Sequence, residues 1–160
     1  MNIKIKRMVK IAVVAAIYVA LTLFFHPISF GSIQLRISEV LVLLVFYNKR
    51  YALSVVVGCL IANAFSTLGL DVIFGTFASL IACLLMMLIP NNRFLASLIP
   101  PIINGIIVGL EIHIMTDANF FLCALTIFLG EFIVVVVIGN ILCSIFEKNE
   151  TFKKLMDDTI

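Results

Sequence analysis

Nine side chains in this sequence could recognise a ligand from within an apolar protein: Phe30, Gln34, Arg36, Glu39, Asn63, Asp71, Asn104, Glu111 and Glu131. Carboxylates accept hydrogen bonds, amides donate and accept, a guanidinium donates in a fixed fork, and phenylalanine offers a flat face for stacking. Such a set is suited to recognition rather than to bond breaking. Glu131 is the costliest of them. It lies inside the apolar run 120–138, where a charge at the centre of a membrane helix costs on the order of 2.5–3.5 kcal/mol. A residue that expensive faces the protein interior, either as a hydrogen bond to another helix or as a ligand contact, and Gly130 beside it permits close backbone approach.

Several of the others also have an ordinary account. Asn104 and Glu111 are seven residues apart, two helical turns, so they share one helix face and line one cavity; Glu111 stands near the end of its run, where solvation alone would explain it. Asn63 has an amide that an interhelical hydrogen bond would satisfy as well as a ligand would. Asp71 is placed to cap the helix that follows it, and Arg36 and Glu39 can pair at (i, i+3). These last two belong to the polar stretch 30–39, which interrupts two apolar runs and reads as the mouth of a ligand site.

The whole chain sets that reading in a membrane. Of 160 residues, 63% are hydrophobic and only 12% charged, with a mean hydropathy of +1.24, whereas a soluble domain carries about 25% charged residues. A net charge of +2 argues for no nucleic-acid partner. Cys59, Cys83, Cys123 and Cys143 each lie alone in an apolar run, without metal-site or disulfide spacing. There is no phosphate-binding G-x-x-x-x-G-K-[ST] loop, no G-x-S-x-G turn and no H-E-x-x-H. His26 and His113 form no ligand pair. An enzyme, a metal site and a bound cofactor are therefore not expected, and uphill transport would draw its energy from another subunit or a coupling ion.

Positioning these residues requires six helices in a single membrane domain of residues 1–160, at about 9–25, 37–47, 52–68, 72–89, 94–115 and 120–146, followed by a charged tail at 147–160. Pro27 stops the first helix, the second spans only about half a bilayer, and Pro100-Pro101 breaks or kinks the start of the fifth. The N-terminal basic residues imitate a secretory signal, but without a small-residue cleavage site the first helix is retained. Ten of the eleven Lys and Arg residues fall at the termini and in the 2–3 and 4–5 turns, leaving Arg36 alone on the other side. That asymmetry places both termini in the cytoplasm, and gives Arg36 an acidic partner or an anionic ligand group. Gly105 with Gly109, and Gly58 with Ala62 and Ser66, form small-residue faces for close helix packing. Ala12, Ala16 and Ala20 form an alanine stripe for internal packing or for docking another membrane subunit.

The segments Pro27-Ile28-Ser29-Phe30-Gly31, Ile33-Gln34, Arg36-Ile37-Ser38-Glu39, Gly58-Cys59-Leu60-Ile61-Ala62-Asn63 and Gly69-Leu70-Asp71-Val72-Ile73-Phe74-Gly75 resemble the QueT family of queuosine-precursor transporters. The resemblance spans residues 12–80. It implies a six-helix substrate-binding subunit of an energy-coupling-factor transporter, which captures a 7-deazapurine outside and works with a transmembrane coupling subunit and two cytoplasmic ATPases. It also implies that the alanine stripe docks the coupling subunit and that residues 30–36 cap the substrate. A guanine-like edge presents adjacent N–H donors to a carboxylate, its carbonyl and ring nitrogen suit Asn, Gln or Arg, and its plane stacks on Phe30 or Phe74. An acidic cavity made from some of Glu39, Asp71, Glu111 and Glu131 would suit the aminomethyl, cationic form. The rival readings are a related subunit for another small molecule, such as a vitamin, and a membrane scaffold whose polar residues only join helices.

Overall fold

The computed structural model describes residues 3–31, 34–67 and 69–156. Ser32 and Ile33 of the polar stretch, Leu68 at the expected end of the third helix, and 157–160 of the tail lie outside the described residues. Among those described there is helix and turn and no strand. The elements are α1 (Ile3–Phe24), α2 (His26–Ser29), a 3-10 segment (Ile37–Leu43) running into α3 (Leu44–Tyr47), α4 (Tyr51–Asn63), α5 (Asp71–Met86), α6 (Arg93–Ser97), α7 (Ile99–Thr116), α8 (Phe120–Glu131), a π-helical segment (Phe132–Gly139), α9 (Asn140–Phe146) and α10 (Glu150–Met156).

Three runs are long and apolar enough to cross a membrane, Ile3–Phe24, Arg93–Thr116 and Phe120–Phe146; Ile37–Tyr47, Tyr51–Asn63 and Asp71–Met86 are shorter apolar helices. Helices pack in the order α1, α4, α5, α7, α8, and the 3-10 segment closes the bundle by contacting both α1 and the π segment. Val42, Leu43, Val55, Cys59, Met86 and Val135 fill one core cluster. Large apolar side chains cover the outside, Phe24 at 80% and Phe121 at 79% exposure among them, as lipid rather than water demands.

Several expectations need correction. α1 starts at Ile3, not Val9, so its first turns carry Lys4, Lys6 and Arg7. It ends at Phe24, and Pro27 helps to open the single turn α2, where its missing N–H costs nothing. The second run is largely 3-10 helix, because Ser38 and Glu39 are tied sideways to α1 by Thr22 and Tyr18. α4 stops at Asn63 rather than near residue 68. The chain turns there, and the Asn63 amide donates to the Asp71 carbonyl, 3.0 Å away. Pro100 and Pro101 do mark a break, between α6 and α7 at Leu98. The π segment within the last run was not expected. It coincides with six consecutive β-branched residues, Ile133 to Ile138, whose side chains crowd an ordinary α-turn.

The tail is also more ordered than a charged extension. α10 folds back so that Lys10 Nζ donates to the Leu155 carbonyl at 2.9 Å and Asn48 Nδ2 to that of Met156 at 3.1 Å. Phe152 stacks on Phe146 with ring centres 5.6 Å apart. The start of α1, the turn at Asn48 and α10 thus share one end of the bundle, and Arg93 joins them through Tyr47. At the other end the Phe30 loop, the turn at Thr67 and the turn at Ala118 border one cavity.

Candidate ligand site

Seven polar side chains carried by six parts of the chain lie buried in the bundle. Arg36 enters from the extended strand-like backbone before the 3-10 segment, Glu39 from within that segment, Asn63 from the end of α4, Asp71 from the start of α5, Asn104 and Glu111 from α7, and Glu131 from the end of α8. All seven side chains are buried, and none is more than 4% exposed. Four carboxylates therefore face a single guanidinium.

Their pairing differs from the local expectation. Arg36 does not pair with Glu39 three residues away; its Nη2 reaches Asp71 Oδ1 at 3.3 Å, and its guanidinium lies 5.1 Å from the Phe30 ring centre in a cation–π contact. Asp71 is not a side-chain cap of α5. Leu70 holds the cap position, and the Asp71 carboxylate is taken by Arg36 and by a short hydrogen bond from Ser66. Gly75, one turn further along α5, makes this approach possible. A Cβ there would stand 2.6 Å from Asn63 Nδ2, so the amide closes on the helix in this position only because residue 75 is glycine, while Arg36 Nη1 lies at ordinary contact distance.

Glu39 accepts a short hydrogen bond from the Tyr18 hydroxyl. Sequence reasoning missed Tyr18 and Ser66. The signal for Tyr18 was a phenol in the middle of an apolar helix, which must find a partner once buried. Glu111 is fully buried, which overturns solvation as its account, and it lies in the field of Asp71 and Arg36. Asn104 stands near Glu131, which also feels Glu39 and Arg36. Gly105 and Gly109 do what their spacing suggests, meeting Ala124 and Phe128 of α8 at contact distance.

A cavity of about 410 Å³ is lined by Phe30, Gln34, Thr67, Ile112 and Thr116 among others, within the range of small-molecule sites; of the nine candidate residues only Phe30 and Gln34 line it, and Phe30 links it to the cluster through Arg36. Gln34, buried at 4% exposure, holds a left-handed backbone with φ of 46°, a conformation that costs a non-glycine residue of order 1–3 kcal/mol and clusters at ligand sites. Within the buried cluster, Glu111 Oε1 and Oε2, Glu131 Oε2, Asn104 Oδ1 and Asn63 Oδ1 are acceptors without a hydrogen-bond partner, against one such donor, Arg36 Nε. Each unmet group carries a desolvation penalty of about 1–3 kcal/mol, more if charged. Counted by atoms, the cluster holds more open acceptors than open donors.

Ala12, Ala16 and Ala20 stand away from this cluster, on the exposed face of α1, while Ala15, Tyr18 and Thr22 face inward. Among the described residues no group of His, Cys, Asp and Glu could hold a metal ion.

Comparison with known proteins agrees with the membrane character and sharpens it. The family model described as QueT transporter matches residues 8–148. The chain is 35% identical to the queuosine precursor transporter QueT of Lactococcus lactis subsp. cremoris (strain MG1363), across 78% of this chain and 82% of that protein. No solved structure matches. With the family model covering most of the chain, this membrane protein belongs to the QueT transporter family.

Proposed function

We propose that the chain is a substrate-binding membrane subunit that takes up a queuosine precursor, a 7-deazaguanine, from outside the cell, and that it is not an enzyme. The observation that carries this reading is the donor shortage within the cluster: five buried acceptor atoms of Asn63, Asn104, Glu111 and Glu131 without partners, against Arg36 Nε as the one donor there. A guanine-like edge brings adjacent N–H donors to a carboxylate, and a 7-aminomethyl group brings an ammonium for a second one. Phe30, already against Arg36, offers a face for the ring plane. A scaffold whose polar residues only join helices would leave no such shortage.

Uptake in this reading is driven by an energy-coupling module of a transmembrane coupling subunit and two cytoplasmic ATPases, since this chain has no phosphate-binding loop. The exposed alanine face of α1 supports docking there, because small residues let helix backbones approach. The grouping of Lys10, Asn48, Arg93 and α10 at one end supports a reading with six crossings and both termini in the cytoplasm.

Calorimetry on the purified subunit with 7-aminomethyl-7-deazaguanine tests the ligand: saturable heat at one site is expected, and its absence from folded protein would sink the assignment. Ala16→Trp tests the coupling. It should abolish uptake in cells while leaving the affinity of the isolated subunit within about three-fold; if affinity collapses as well, the stripe serves internal packing.

A further inference from the structure

Tyr18 is not among the residues that line the cavity, yet it is the single hydrogen-bond donor to the Glu39 side chain among the described residues. Both groups are buried to 1% exposure. Tyr18 packs closely on α4 where Gly58 carries no side chain: a Cβ there would stand 2.9 Å from Tyr18 Cβ and 3.0 Å from Cγ. One turn on, Thr22 Oγ1 meets Ser38 Oγ at 2.6 Å and donates to the Tyr18 carbonyl at 2.9 Å. The inward face of α1 therefore grips the 3-10 segment at two successive residues, Ser38 and Glu39.

We propose that Tyr18 is a positioning residue for substrate choice: by donating to Glu39 it holds that carboxylate in place and supports its charge, so that the site prefers a cationic ligand over a neutral one of the same shape. This rests on the binding-subunit reading above. A buried carboxylate is stabilised chiefly by the donors aimed at it. Glu39 shares its surroundings with Arg36, Glu131 and Cys59. Arg36 is already committed to Asp71, which leaves the phenol as the group that sets the Glu39 geometry. Recognition of the ring plane and its amide edge falls instead to other residues, so it does not depend on this bond.

The test compares two ligands of the same ring, 7-aminomethyl-7-deazaguanine, which carries an ammonium, and 7-cyano-7-deazaguanine, which is uncharged, by calorimetry on the full chain in detergent at pH 7. Tyr18→Phe keeps the ring against Gly58 and removes only the hydroxyl. It should weaken the ammonium ligand ten-fold or more and the cyano ligand less than three-fold. Glu39→Gln should show the same selective loss, and adding Tyr18→Phe to it should change the ratio no further, because the phenol acts through the carboxylate. Thr22→Val, which breaks the neighbouring bond to Ser38, should leave the ratio unchanged. An equal loss for both ligands in Tyr18→Phe, or a further selective loss in the Glu39→Gln background, overturns the proposal while wild-type binding of both ligands keeps the binding-subunit reading intact. Wild-type protein that binds neither ligand removes that reading, and this proposal with it.

Discussion

Two polar clusters stand at opposite ends of this bundle, and they are built on opposite principles. Near the termini, Arg93 gives Nε to Asn140 Oδ1 at 2.9 Å, Nη1 to the Tyr47 hydroxyl at 2.8 Å and Nη2 to Ser144 Oγ at 2.8 Å, and it pairs with Glu147. Asn140 in turn donates to Ser97 Oγ and to the Val136 carbonyl. One cation meets one anion, and no side-chain atom in this group is left buried and unpartnered. At the other end, four carboxylates share one arginine and several acceptors have no donor. A saturated network closes a structure, whereas a starved one stores unmet demand that a ligand can answer. The difference separates helix joining from binding within a single chain, using the same residue types.

Mutations should split along that line. Arg36→Gln removes the one cation of the starved cluster and leaves Asp71 buried without its charge partner. It should lower the stability of the purified protein by about 3–5 kcal/mol, read from thermal unfolding in detergent; a change below 1 kcal/mol would mean that the pair contributes little. Glu131→Gln keeps the shape and removes one unmet acidic group. Affinity for the aminomethyl ligand should fall by about 1.5–3 kcal/mol with thermal stability unchanged or raised. If it binds as tightly as the parent, Glu131 belongs with the joining residues and the contrast fails there. Asn104→Ala should weaken binding less, by about 1 kcal/mol, since it withdraws a neutral partner of Glu131.

The smallest effects are expected at the saturated end. Burial works to raise the Glu147 carboxyl, but hydrogen bonds from Arg93 and Tyr47 outweigh it and hold the group below its ordinary value. A depressed native value gives stability that is present above the unfolded glutamate value of about 4.3 and lost as pH falls below it. With Glu147 44% exposed, solvent screens the pair, so Glu147→Gln should cost under about 1 kcal/mol and should flatten the acid limb of an unfolding-against-pH curve. Ligand affinity should not move. A ten-fold loss of affinity in Glu147→Gln would show that the two ends are coupled.

Much of this molecule was legible in its residues taken in order. Run length and composition placed the apolar helices, because the membrane acts on each segment by itself, and a glutamate such as Glu131 is conspicuous wherever an apolar run surrounds it. The polar stretch 30–39, the break at Pro100-Pro101, the packing of Gly105 and Gly109, and the grouping of basic residues with the termini were all set by local chemistry. Tertiary structure alone decided the partners. Arg36 chose Asp71, 35 residues away, over Glu39 on its own segment, because the rotation of one element about its axis relative to another decides which side chains meet. The same rotation turned Glu111 inward, left Ala16 on the outside and brought Tyr18 to Glu39. Local spacing states which groups can pair within a helix; which of them are left without a partner depends on every element that surrounds them, and that shortage of donors exists only once the bundle has closed.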